Sequence, residues 1–126
     1  MKKTSWALLC NLLLLLFCFS CSQADDHNIK IKISESEHYY KMLAHFNKWR
    51  TQDVDAFMND KIGYKNNISF KHTEIDAKIT LDDQTTFYIK KSPGYLRLEF
   101  DKSENSTDAY QQVKTMCEGI KKIVSQ

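Results

Sequence analysis

The sequence predicts an α+β domain. The expected architecture is an antiparallel meander sheet of about four to five strands, with an N-terminal helix, a short second helix and a C-terminal helix packed on one face. Three observations predict it. Ile29, Ile31 and Ile33 alternate with Lys30 and Lys32 ahead of a stripe at helical spacing. Period-two runs return between Asn67 and Asp101, punctuated by Asp82-Asp83-Gln84 and Ser92-Pro93-Gly94. The chain then closes on apolar residues three and four apart from Ala109 to Val124. A period that changes from two to about 3.6 and back marks strands alternating with helices.

Each element has a local reason. The isoleucines of 29–33 supply one side of a half-buried strand. Ser34 and Glu37 fit a capping box, in which serine oxygen and glutamate satisfy free amides at a helix start. Tyr39, Met42, Leu43, Phe46 and Trp49 follow on one stripe, so an amphipathic helix is expected to about Arg50. Thr51 or Asp53 would cap a shorter helix carrying Val54, Phe57 and Met58, ended by Gly63.

The second half reads mainly as strands. Ile68, Phe70 and His72 share one phase, whereas Ile75, Ala77, Ile79 and Leu81 share the other, which requires a bulge or tight turn near Thr73 and Glu74. Phe87 and Ile89 face one way, with Tyr88 and Lys90 facing the other. Pro93-Gly94 supplies the residues of a type II turn, and Leu96, Leu98 and Phe100 return on the core face. A hairpin over about 85–101 follows. Ser103 to Asp108 is rich in capping residues, after which Ala109, Val113, Met116, Cys117, Ile120, Ile123 and Val124 form a helical stripe. Lys121 and Lys122 suit the negative end of that helix.

Residues 1–24 read as an export signal, and 25–126 as a single domain. Lys2 and Lys3 precede an apolar run from Trp6 to Phe19 broken only by Asn11, with a small-residue exit at 20–24. The run is shorter than the roughly 20 residues that span a membrane. Two processing routes fit. A cut after Ala24 leaves a soluble protein. Ser20-Cys21 instead resembles the lipobox of bacterial lipoproteins, and that resemblance implies lipid attachment at Cys21 and a membrane anchor. It departs from the pattern at Cys18, where a leucine-like residue is preferred. The expected location is extracytoplasmic: periplasmic or outer-membrane lipoprotein, otherwise secreted.

Charge and cysteine content narrow the functional classes. The chain has 18 Lys plus Arg against 16 Asp plus Glu; losing Lys2 and Lys3 leaves sixteen of each. A charge-balanced remainder lacks the basic excess of nucleic-acid binders, so no nucleic acid is expected as partner. Either route leaves Cys117 without a framework of disulfides, so stability must rest on packing.

Catalytic patterns are sparse, and no enzyme, metal or cofactor is expected. His38 and His45 read as solvated histidines of the first helix, His72 as a hydrogen-bonded, part-buried residue. Asp53 and Asp55 sit where carboxylates favour a helix start. Cys117, among Val113, Met116 and Ile120, reads as core rather than as an activated nucleophile.

Residues 46–57, Phe-Asn-Lys-Trp-Arg-Thr-Gln-Asp-Val-Asp-Ala-Phe, resemble the helix–turn–helix opening of NTF2-like proteins. The resemblance implies a curved sheet around a pocket. It carries over no catalytic residue, and the chain departs from it by ending in a long helix rather than strands.

The remaining candidate is the outward side of the hairpin: Tyr88, Lys90, Tyr95, Arg97 and Glu99, with Lys78 beside them. Tyrosine and arginine are the types that anchor protein interfaces; the same pattern also suits a solvated strand face. Glu37, His38, Lys41, His45 and Lys48, on the exposed side of the first helix, form a second candidate. The expectation is an exported cell-envelope protein that binds another protein, such as an envelope enzyme it inhibits or a toxin it neutralises. The alternatives are a small-ligand pocket protein, with Trp49, His72 and the core tyrosines around the cavity, and a structural envelope lipoprotein.

Overall fold

The computed structural model describes residues 29–126. The expected leader and Cys21 lie outside the described residues. Five strands are formed: β1 (Lys30–Glu35), β2 (Tyr39–His45), β3 (Ile75–Thr80), β4 (Thr86–Ser92) and β5 (Tyr95–Asp101). Two α-helices accompany them, α1 (Thr51–Met58) and α2 (Thr107–Val124). The sheet order is β1-β2-β5-β4-β3 with every pair antiparallel. A β1–β2 hairpin thus joins a β3–β4–β5 meander along the β2–β5 seam, and α1 carries the chain across to the far edge. The α+β class and the antiparallel sheet are as the sequence predicts.

The first helix is replaced by a strand. Residues 39–45 form β2, held by β1 on one side and β5 on the other. Tyr40, Met42, Ala44 and Phe46 alternate inward and are buried. The same segment therefore carries both a helical stripe and a period of two, and pairing on both sides decides for the strand. Trp49, assigned to the helical stripe, is 65% exposed and stacks on the Arg50 guanidinium at 4.3 Å. The expected capping serine is displaced by two residues: Ser36 Oγ accepts from the amides of His38 and Tyr39 and closes the β1–β2 turn. The resemblance of 46–57 to a helix–turn–helix opening therefore fails on its first helix; the segment begins just past β2 and holds a single 3-10 turn (Lys48–Arg50) that runs into α1.

A second correction concerns residues 67–74, which are an irregular connection and not a strand. Asn67 and His72 both have a φ of 55°, a left-handed conformation that breaks a strand. Phe70 still reaches the core. Two buried amides pin this connection: Asn59 Oδ1 accepts from the Phe70 amide at 2.7 Å, and Asn66 links the Ile62 carbonyl to the Asp82 amide. Such ties satisfy backbone groups that irregular buried chain cannot pair itself.

The core lies between the sheet and both helices. Inward residues Phe87, Ile89, Leu96, Leu98 and Phe100 meet Val54, Met58 and Ile62 of the α1 region and Val113, Met116, Cys117, Ile120 and Val124 of α2. Ser106 Oγ caps α2 by accepting from the Ala109 amide at 3.1 Å, and Lys121 and Lys122 occupy its last turn. Gly94, at φ +74°, makes the β4–β5 turn as Pro-Gly requires. Its amide donates to Thr51 Oγ1 at 2.9 Å, so the threonine holds the hairpin tip instead of capping α1.

Candidate functional site

Because both helices pack on one side, the other side of the sheet carries no described element. Strand register fixes which residues it displays, since cross-strand partners point the same way. One row runs Ser34, Lys41, Glu99, Tyr88, Lys78; the next runs Lys32, Leu43, Arg97, Lys90, Asp76; a third begins Lys30, His45, Tyr95, Ser92. All five hairpin residues singled out in the sequence, Tyr88, Lys90, Tyr95, Arg97 and Glu99, fall on this open face. Lys41 and His45 of the second candidate group join them, because their segment is a strand. Glu37 and His38 stay at the β1–β2 turn instead, and Lys48 lies on the opposite side beside α1.

The face is polar, aromatic and cationic. Lys30, Lys32, Lys41, Lys78, Lys90 and Arg97 outnumber Asp76, Glu99 and Asp101. Arg97 is tied to Glu99 (Nη2 to Oε1, 2.7 Å) and Lys78 to Glu104 (2.9 Å). Lys32, Lys41 and Lys90 have no carboxylate within ion-pair range among the described residues. The Tyr88 hydroxyl donates to Asp76 at 2.5 Å, which raises its pKa above the ordinary value. Glu99 likewise raises that of Arg97. His45 packs edge-on against Tyr95 at 5.0 Å. A shallow depression of about 580 Å³ lies between β1, β2 and β5, bounded by Lys32, Lys41, Leu43, His45, Tyr95 and Arg97.

The helix side holds a pair that the sequence reading missed. Lys91 Nζ lies 2.9 Å from Asp55 Oδ1, with the side chains 3% and 4% exposed. The approach has ion-pair distance without hydrogen-bond geometry, and Oδ1 accepts no hydrogen bond among the described residues. Asp55 is therefore not a solvated helix-start carboxylate; the carboxylate beside the α1 start is Asp53, paired with Arg50 at 3.2 Å. The signal for the pair was the phase of β4, where Lys91 follows Phe87 and Ile89 on the inward face.

His72 is exposed, contrary to its expected part-burial, and lines the cleft above that pair. Cys117 is fully buried, and burial pushes its thiol up to about 12, which suits packing and not nucleophilic attack. No group of three or more His, Cys, Asp or Glu suited to a metal occurs among the described residues. Nor is any described helix long and apolar enough to cross a membrane.

Compared with protein-family models, with curated proteins and with solved structures, the chain gives no match.

Proposed function

We propose that this chain is an exported binding protein whose open sheet face engages an acidic surface of another protein. An inhibitor or toxin-immunity protein is the sharpest form of that reading: the hairpin would occlude a partner's cleft by steric contact. The observation that carries it is the uncovered face, where tyrosines and an arginine stand among lysines that lack carboxylate partners. A solvated face gains stability from opposite-charge neighbours; here Lys90 stands between Arg97 on β5 and Asp76 on β3, and Asp76 lies outside ion-pair range of it. An acidic partner would supply the missing charges and be steered by them.

Placing a photo-crosslinking residue at position 97 tests the reading, with position 121 on the exposed side of α2 as control. A discrete adduct from 97 and none from 121 is expected in the host envelope. Equal adducts, or none from 97, would dismiss the face. The export route belongs to the same proposal, with lipid at Cys21 anchoring the protein to the membrane or a cut after Ala24 releasing it. The intact mass of the processed protein distinguishes these products.

A further inference from the structure

We infer that the cleft over the Asp55–Lys91 pair is a second binding site, built for a short neutral saccharide. Two adjoining lobes of about 370 and 240 Å³ lie between α1, the 67–74 connection and the β4–β5 turn. Gln52, Asp55 and His72 line both lobes, so the two form one continuous trough.

Its floor is unusual in what it leaves unused. The Asp55 and Lys91 side chains are almost wholly buried, yet Asp55 Oδ1 accepts no hydrogen bond. The Lys91 ammonium has three donors, and none is aligned to hydrogen-bond Asp55 Oδ1 despite the 2.9 Å approach. Buried polar groups are ordinarily paired, so this floor offers acceptor and donor capacity side by side. Adjacent hydroxyls of a sugar fit that arrangement: one donates to the carboxylate while its neighbour accepts from the ammonium.

The walls favour the same chemistry. In the larger lobe Lys48 and Lys91 balance Asp55 and Glu74, and Lys71 adds one positive charge at the smaller lobe. Gln52 adds a side chain that both donates and accepts. Tyr64, on the smaller lobe, is 73% exposed. It presents a flat apolar ring against which the C–H face of a pyranose can pack. The site lies on the helix side of the sheet, so it is independent of the protein-binding face.

The test is a titration of the protein, purified as its cell processes it, with maltotriose and with the trimer of N-acetylglucosamine. Glycine and acetate serve as zwitterion and anion controls. Amide chemical shifts report the location of binding. Saturable shifts at Gln52, His72 and Thr73 with at least one sugar are expected. Tyr64→Ala and Gln52→Ala should each weaken that sugar about tenfold without moving the melting temperature, since both side chains are exposed. Three results would overturn the inference: no localised shift with either sugar, shifts with glycine or acetate alone, or a sugar affinity indifferent to both variants.

Discussion

Arg97 stands directly opposite Lys90 across the β5–β4 ladder, on the face that no described helix covers. Like charges placed so are unfavourable within a sheet, and the Arg97–Glu99 contact, in which Nε and Nη2 both donate to Oε1, discharges only one of them. Asp76 faces Lys90 from β3, but that carboxylate accepts from the Tyr88 hydroxyl and lies outside ion-pair range of Lys90. Residues that break a local rule without an internal gain are where function is expected.

Arg97→Ala and Tyr95→Ala should each weaken partner binding by about 1.4 kcal/mol or more, a tenfold loss. Their folding stability should stay within about 0.5 kcal/mol of the parent, as is usual for surface changes. Association should also slow as salt rises, because exposed charges are screened. Affinity by calorimetry and stability by denaturant melts check both halves. Unaltered affinity in both variants removes the face from consideration.

How far the fold was legible depends on how many periods each segment could satisfy. The β4–β5 hairpin was legible because Phe87 and Ile89 alternate in one strand, Leu96 to Phe100 in the next, and Pro93-Gly94 admits one turn. The α2 stripe was equally unambiguous. Residues 39–46 were not, because Tyr40, Met42, Ala44 and Phe46 fit a strand while Tyr39, Met42, Phe46 and Trp49 fit a helix; only the flanking strands separate the two. The open-face residues could be named because the hairpin fixes their phase. The cleft could not, since Asp55 and Lys91 are brought together by the crossover of α1 over the sheet, and sequence separation gives no hint of that contact.

Gly94 is the one glycine in a left-handed conformation among the described residues, and its place in the fold makes it costly to replace. A Cβ there would stand 2.7 Å from the Phe46 carbonyl oxygen, a backbone atom that cannot swing aside as a side-chain tip can. The left-handed conformation alone costs an alanine about 1–2 kcal/mol. Gly94→Ala should therefore destabilise by more than that, and should loosen the hairpin tip held by Thr51. Urea unfolding measures the loss; a change below about 0.5 kcal/mol contradicts the geometry.

Cys117 gives stability a slope at alkaline pH. In an unfolded chain a thiol ionises near about 8.5, whereas burial pushes the folded thiol up to about 12. Between those values the unfolded chain has released a proton that the native state retains. The unfolded state binds fewer protons, so stability falls as pH rises through that window and is fully present below it. Tyr40, whose hydroxyl burial also raises, adds to the fall at its upper end. Cys117→Ala should flatten the slope from pH 9 to 10, read from denaturant midpoints. The native thiol should also resist a disulfide reagent at pH 8 that labels the unfolded chain at once.

The Asp55–Lys91 pair should show strong coupling. Removing one member of a buried ion pair strands the other charge and typically costs about 3–5 kcal/mol. Asp55→Leu and Lys91→Met should each destabilise by that order. The double variant should recover much of the loss, because apolar side chains of similar size replace such pairs at little net cost. A four-member cycle of urea melts yields the coupling directly. Independent, additive losses would mean that water in the cleft already solvates each charge separately, and that the 2.9 Å approach contributes no attraction that either residue needs.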